Sequence, residues 1–390
     1  MIPNFLKLLP VLALPVLALP LAAQAEGLLA IDNPAAHGSA NQAYAQIEAF
    51  AANDQVAMRE YGGDWNGSYT PRSGVNLGLA ALRAEAGVQW SGYRLGALWR
   101  GEALVQTNRD TSDLVQQYKT SAGYTTNRTY ALDYQLKGFE ADGARLSKSF
   151  HTAGLGTWQA DWGVGLSYLR GQRITLNTVD GEVVTLNTKD FNATARQAVS
   201  DSQMNTIDLA SFNAPFGRQA SASGTGYAVD LGMVLQHPAS GARVELAVAD
   251  LLGAIAWRDL PTNVSRYSTT TKYYDANGYL NIYPTSTRTS SYQNLQQVLE
   301  PKWLASVSYP LGAVEVSGLA SFTQGYWFPQ VGVGYALMDT WHVKVDYDLR
   351  FGTVGLSLAH PWFAVSLRTD NLNTDLARAY GLAASVNIPF

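Results

Sequence analysis

Between Trp341 and Phe351 the chain places His342, Lys344, Asp346, Asp348 and Arg350 at alternate positions. Trp341, Val343, Val345, Tyr347, Leu349 and Phe351 fill the positions between them. Successive side chains of an extended strand point to opposite faces, so all the charges share one face and all the large apolar groups the other. Arg94, Arg100 and Glu102 recur in the same way within Tyr93–Val105. Arg368 ends an alternating run through Phe363, Val365 and Leu367. Lining a water-filled interior, such groups can bias the passage of charged solutes. Paired with each other, they fill and seal that interior. The mixed signs fit pairing better, because selectivity rings usually carry one sign.

Motifs for catalysis are scarce. The chain has no H-E-x-x-H, G-x-S-x-G or G-x-x-x-x-G-K-[ST] pattern. Of five histidines, His237 and His360 precede proline and mark turns, His37 lies near the N-terminus and His151 near a strand end. His342 alone falls on a charged strand face. Without cysteine there is no disulfide, thiol nucleophile or thiolate metal site, and the sequence implies no metal and no cofactor. A net charge of −4 argues against a nucleic-acid partner.

The elements that present these faces are alternating strands. Trp303–Tyr309, Val331–Leu337, Val354–Leu358 and Tyr380–Phe390 repeat the period of two, and Tyr309-Pro310-Leu311-Gly312 and His360-Pro361 separate such runs as turns. Earlier strands are expected at 64–70, 75–81, 84–90, 93–105, 129–138, 144–150, 161–169, 172–179, 227–235 and 244–248. A face of lipid-loving groups backed by a charged face needs water behind it and hydrocarbon in front. This is the condition of a transmembrane antiparallel β-barrel, an all-β fold of about 14 strands with 12–16 possible. Trp65, Trp90, Trp99, Trp303, Trp327, Trp341 and Trp362 then fall in interfacial belts. The polar stretches 107–128, 180–226 and 259–300 read as long extracellular loops, with a helix near 193–209 and a hairpin at Asn277-Gly278.

The N-terminus supports export. Lys7 precedes the apolar run Leu8–Leu21, interrupted by Pro10, Pro15 and Pro20, and Ala23-Gln24-Ala25 offers small residues for a signal peptidase. Residues 1–25 are read as a signal peptide, 26–63 as an N-terminal segment and 64–390 as the barrel. Tyr44, Ile47, Phe50 and Ala51 fall at helical spacing, so a short helix over 41–59, able to plug the lumen, is expected.

A closing strand that ends on Phe390 resembles the last strand of Gram-negative outer-membrane β-barrels, which implies an outer-membrane location and recognition of Phe390 by the barrel-insertion machinery. Asn33-Pro34-Ala35, the Gly224-x-Gly226-x-x-x-Asp230-x-Gly232 strand and the Asp250-Leu251-Leu252-Gly253 turn resemble signatures of the long-chain fatty-acid transporter superfamily of barrels. That resemblance implies architecture and assigns no ligand residues here. Asn33 lies close to the expected cleavage site, so little chain is left for that family's N-terminal hatch. The resulting expectation is a passive channel for small or hydrophobic molecules in outer-membrane lipid. The alternatives are a non-transporting anchoring, assembly or adhesion barrel and, third, a membrane-embedded lipid hydrolase. Monomers and trimers read alike at this level.

Overall fold

In the computed structural model the chain folds as a closed antiparallel β-barrel. The structure describes residues 27–204, 222–274, 276–338 and 340–390. The expected signal segment and cleavage site lie outside them.

The strands are β1 (Gln42–Asn53), β2 (Asn76–Trp90), β3 (Tyr93–Thr107), β4 (Thr129–Leu155), β5 (Trp158–Thr185), β6 (Phe191–Asp201), β7 (Ser223–Gln236) and β8 (Arg243–Tyr274). They continue with β9 (Leu280–Val298), β10 (Lys302–Leu311), β11 (Val314–Thr323), β12 (Tyr326–Met338), β13 (Trp341–Asp348), β14 (Val354–His360), β15 (Phe363–Thr369) and β16 (Ala379–Pro389). Fourteen form the wall. β1 pairs with both β2 and β16, β5 with β7, and β8 with β10, leaving β6 and β9 outside the ring. Those two pair instead with the far ends of β5 and β8 and raise the wall into a sheet above one rim. Turns at the opposite rim are short (Ser91-Gly92, Gly156-Thr157, Gly312-Ala313, Pro361-Trp362). Long loops mark the extracellular side of such barrels, so the raised sheet is extracellular.

Alternation determines the two sides of the wall. Val331, Val333 and Tyr335 point outward, as do Val345 and Tyr347 on the next strand. Asp346 and Asp348 point inward and are buried. Arg170 and Asp142, paired on the outer surface at 2.8 Å, mark the top of the lipid band on β4 and β5. Trp99 shares a row with Asp142, while Trp90, Trp341 and Trp362 sit at the periplasmic rim.

Several expectations need correction. Gln42–Asn53 is a barrel strand and not a helix, so the wall begins upstream of residue 64. Its apolar residues at helical spacing divide between lipid and lumen. Residues 64–70 are irregular chain, where Trp65 is buried at φ +43°. The segments 75–81 and 84–90 are one strand, as are 129–138 with 144–150 and 161–169 with 172–179. In the last two pairs, outward charges above the lipid band interrupt the apolar pattern. β11 was not foreseen because Gly318, Ala320 and serines dilute its pattern. The helix expected over 193–209 is strand β6 up to Asp201, and Asn205–Leu209 lie outside the described residues. Phe351 turns inward past the end of β13. The hairpin at Asn277-Gly278 is present, with Gly278 at φ +80°.

A charge on the lipid face should therefore cost far more than loss of one from the lumen. Val333→Arg is expected to lower the unfolding free energy of vesicle-inserted protein by about 2–4 kcal/mol. Lys344→Gln should stay within about 1 kcal/mol in the same urea titration.

Candidate functional site

The lumen is occupied. Residues 27–40 run inside the barrel before the chain turns up into β1. Leu28, Leu29 and Ile31 are buried among inward side chains of the wall, notably Phe50, Leu77, Leu104, Leu304, Phe328 and Phe351. Asn33 caps a short turn over Pro34–His37, its side chain accepting from the Ala35 N–H at 3.0 Å. The segment that fills the lumen thus lies just upstream of the plug helix expected over 41–59.

Two glycines make room for that turn. Gly163 on β5 and Gly232 on β7 are register partners. A Cβ on Gly232 would fall 2.0 Å from Asn33 Oδ1, and one on Gly163 would fall 2.2 Å from the Ala35 nitrogen. Gly232 belongs to the glycine–aspartate strand noted in the sequence, so part of that signature has a mechanical meaning here. Asn33 Nδ2 also donates to Glu245 at 3.1 Å, which binds Arg243 at 2.6 Å.

Below the apolar layer lies a buried ionic network. Arg145 on β4 places Nη1 2.7 Å from Asp32 of the plug and Nη2 3.0 Å from Asp230 of β7. Asp230 accepts from the Asp250 backbone N–H at 3.0 Å, within a register shift between β7 and β8 where Asp250 has φ +57°. Asp250 in turn receives both Arg100 Nη atoms, at 2.8 and 2.6 Å, and Lys302 at 2.9 Å. Glu102 binds the same Arg100 and Lys302. On the other side Glu85 collects Arg83 at 2.5 Å, Arg94 at 3.4 Å and the Tyr44 hydroxyl at 2.6 Å. Arg94 lies over the Tyr44 ring, 3.6 Å from its centre. Burial alone would raise the Asp32 pKa, but Arg145 and His37 hold it well below the usual carboxylate range.

The residues singled out in the sequence thus have distinct fates. Arg94, Arg100 and Glu102 join this network. Asp346 pairs with Arg368. Asp348 accepts the Arg350 and Phe351 N–H groups at 3.1 and 2.8 Å, and Arg350 reaches Asp54 at 2.5 Å in the extracellular mouth. There Asp54 also binds Arg72 at 2.9 Å, tying two loops together. Lys344 lines a separate cavity, and His342 is exposed at the periplasmic rim. Asp32, Glu85, Arg145 and Lys302 were missed. Arg145 did carry a signal, since it stands on the polar face of an alternating run.

His37 completes a serine–histidine–aspartate set. Its Nε2 lies 2.8 Å from Asp32 and its Nδ1 3.4 Å from Ser147. Burial lowers the His37 pKa despite the neighbouring Asp32. Ser147 is only 2% exposed, and Asp32 is already bound to Arg145. The arrangement anchors the plug and presents no reachable nucleophile.

The fold is a closed antiparallel β-barrel of fourteen strands with an apolar outer face. A family of unknown function (DUF5723) matches residues 159–308, from β5 to β10. Comparison with curated proteins finds no match. Among solved structures, a deltaS2S3 mutant of the TodX monoaromatic hydrocarbon channel is similar over 95% of this chain and 96% of its own, at 10% identity and TM-score 0.49. A FadL homologue of Pseudomonas aeruginosa aligns over 95% and 99% of the two chains, at 11% identity and TM-score 0.43. The toluene transporter TodX of Pseudomonas putida aligns over 95% and 96%, at 9% identity and TM-score 0.42. At these identities nothing of those proteins' ligands transfers to this chain.

Filling the glycine seat should unseat the plug without opening the wall. In Gly232→Val protein, limited proteolysis is expected to cut within residues 27–40 at least about tenfold faster than in the unmodified protein, while the heat-dependent gel shift of a folded barrel persists.

Proposed function

We propose that this barrel is a passive conduit for small hydrophobic molecules across the outer membrane, gated by its own N-terminal segment. One observation carries the reading: the extracellular half of the lumen is apolar, with Phe50, Leu77, Leu104, Phe328 and Phe351 facing inward around Leu28 and Leu29. A water-filled channel has a polar lumen. An apolar interior closed by an apolar segment resists ions and offers hydrophobic solutes a favourable environment. Displacement of residues 27–40 would open the route, and Phe390 would serve as the signal for insertion into the membrane.

The sheet formed by β6, β9 and the ends of β5 and β8 favours a second reading, a barrel that binds partners outside the cell. That sheet and a conducting barrel are compatible, so the second function would add to the first. A lipid hydrolase is disfavoured by the buried Ser147.

The test combines two assays on the same preparation. In planar bilayers the intact protein should give no discrete steps, while a variant lacking residues 27–40 should give them. Cells with the intact protein in their outer membrane should take up the apolar dye N-phenylnaphthylamine several-fold faster than cells without it. Steady conductance from the intact protein with no gain in dye uptake would contradict the proposal.

A further inference from the structure

β12 carries the run Gln330-Val331-Gly332-Val333-Gly334-Tyr335. Val331, Val333 and Tyr335 face lipid, each about half exposed, so Gly332 and Gly334 face the lumen. Register places Gly334 between Glu315 of β11 and Lys344 of β13, and Gly332 between Ser317 and Asp346. The glycines leave a bare strip of backbone with a carboxylate on one side and an ammonium on the other. Two strand spacings separate the Glu315 and Lys344 backbones by about 10 Å.

A cavity of about 130 Å³ lies beside this strip in the periplasmic half of the lumen, lined by Glu315 and Lys344 and bounded also by Arg243, Ser306, Ser308 and Ser317. At about 30 Å³ per water it holds roughly four waters or one very small organic molecule. Most inward charges of this barrel meet a partner at contact distance. Here Glu245 is taken up by Arg243 and Asn33, and Asp346 by Arg368. Lys344 and Glu315 form no ion pair among the described residues. The Lys344 stem lies over Gly332, where a Cβ would come within 3.0 Å of its Cε and 2.8 Å of Ser317 Oγ. Any side chain on that strip would occupy the space between the two charges.

We propose that this cavity, between Glu315 and Lys344, binds a small zwitterion of the α-amino-acid class. Its carboxylate sits between Lys344 and the Ser317 hydroxyl, and its ammonium meets Glu315. A simple anion would engage Lys344 but face Glu315 uncompensated, and a simple cation would meet the reverse. A polar ligand site at the periplasmic exit goes beyond hydrophobic passage through the upper lumen, and neither depends on the other.

Titration calorimetry on the detergent-solubilised protein tests it, with glycine, acetate and methylammonium as probes. Glycine should bind at least about tenfold more tightly than either single-charge probe. Lys344→Met and Glu315→Gln should each weaken glycine by about tenfold or more. The heat-dependent gel shift reports that each variant is folded. Absence of glycine binding to the unmodified protein would overturn the proposal, as would equal affinity for glycine and acetate. The comparison of probes on the unmodified protein decides the matter even where a variant fails to fold.

Discussion

One guanidinium connects the parts of this molecule. Arg145 projects into the lumen from β4 and is shared between Asp32, on the plug, and Asp230, on β7. A buried arginine in a barrel is tolerable only when anions and hydrogen bonds surround it, because desolvating a lone charge costs several kcal/mol. Asp230 takes Nε and Nη2 and leaves Nη1 without a carboxylate at contact distance on the wall. The plug supplies Asp32 at 2.7 Å from Nη1, where the wall's own Glu85 lies 3.9 Å away, so seating the plug completes the surroundings of this cation. Asp230 then fixes the Asp250 backbone, and Asp250 organises Arg100 and Lys302. The chain of contacts runs from the N-terminal segment to β10 without leaving the interior.

This arrangement explains why apolar and ionic layers coexist in one lumen. Leu28, Leu29 and Ile31 bury area in the extracellular half, where their release would expose an apolar bore. Asn33 and Asp32 fix their position from below through directional bonds. Apolar contact alone would let the segment slide, and the ionic contacts set its register. The glycine pair Gly163 and Gly232 gives the turn its close approach, which no other residue type permits at those distances.

Much of the wall was legible in the sequence, because period-two alternation reports directly on a surface with lipid on one side. The segment from Trp341 to Asp348 illustrates this, with every residue on the face assigned to it. Legibility failed where the two sides ceased to differ. β1 places Ala43, Ala45 and Ala49 outward and Tyr44 and Phe50 inward, so its apolar residues mimic helical spacing. β4 and β5 continue above the membrane, where outward Asp142 and Arg170 broke single strands into apparent pairs. Those splits, together with a strand wrongly placed at 64–70, offset the omission of β1 and β11 and kept the strand count near its true value. The site was less legible than the wall. Arg94, Arg100 and Glu102 were visible as inward charges, yet no pattern pairs them with Glu85 on the adjoining β2, and Asp250 and Lys302 come from distant strands. The plug was hidden for a different reason: Leu28–Ala35 has no periodicity, and its role follows from the cavity it enters.

The central claim is that residues 27–40 close the lumen from within in the membrane-inserted protein. The chain has no cysteine, so one introduced at Ala35, which is 3% exposed, gives a clean probe. In proteoliposomes an Ala35→Cys variant should react with a water-soluble maleimide at least about a hundredfold more slowly than a Ser39→Cys control at the exposed foot of the same segment. Equal rates at the two positions would show that the plug does not occupy the lumen, and would contradict the account.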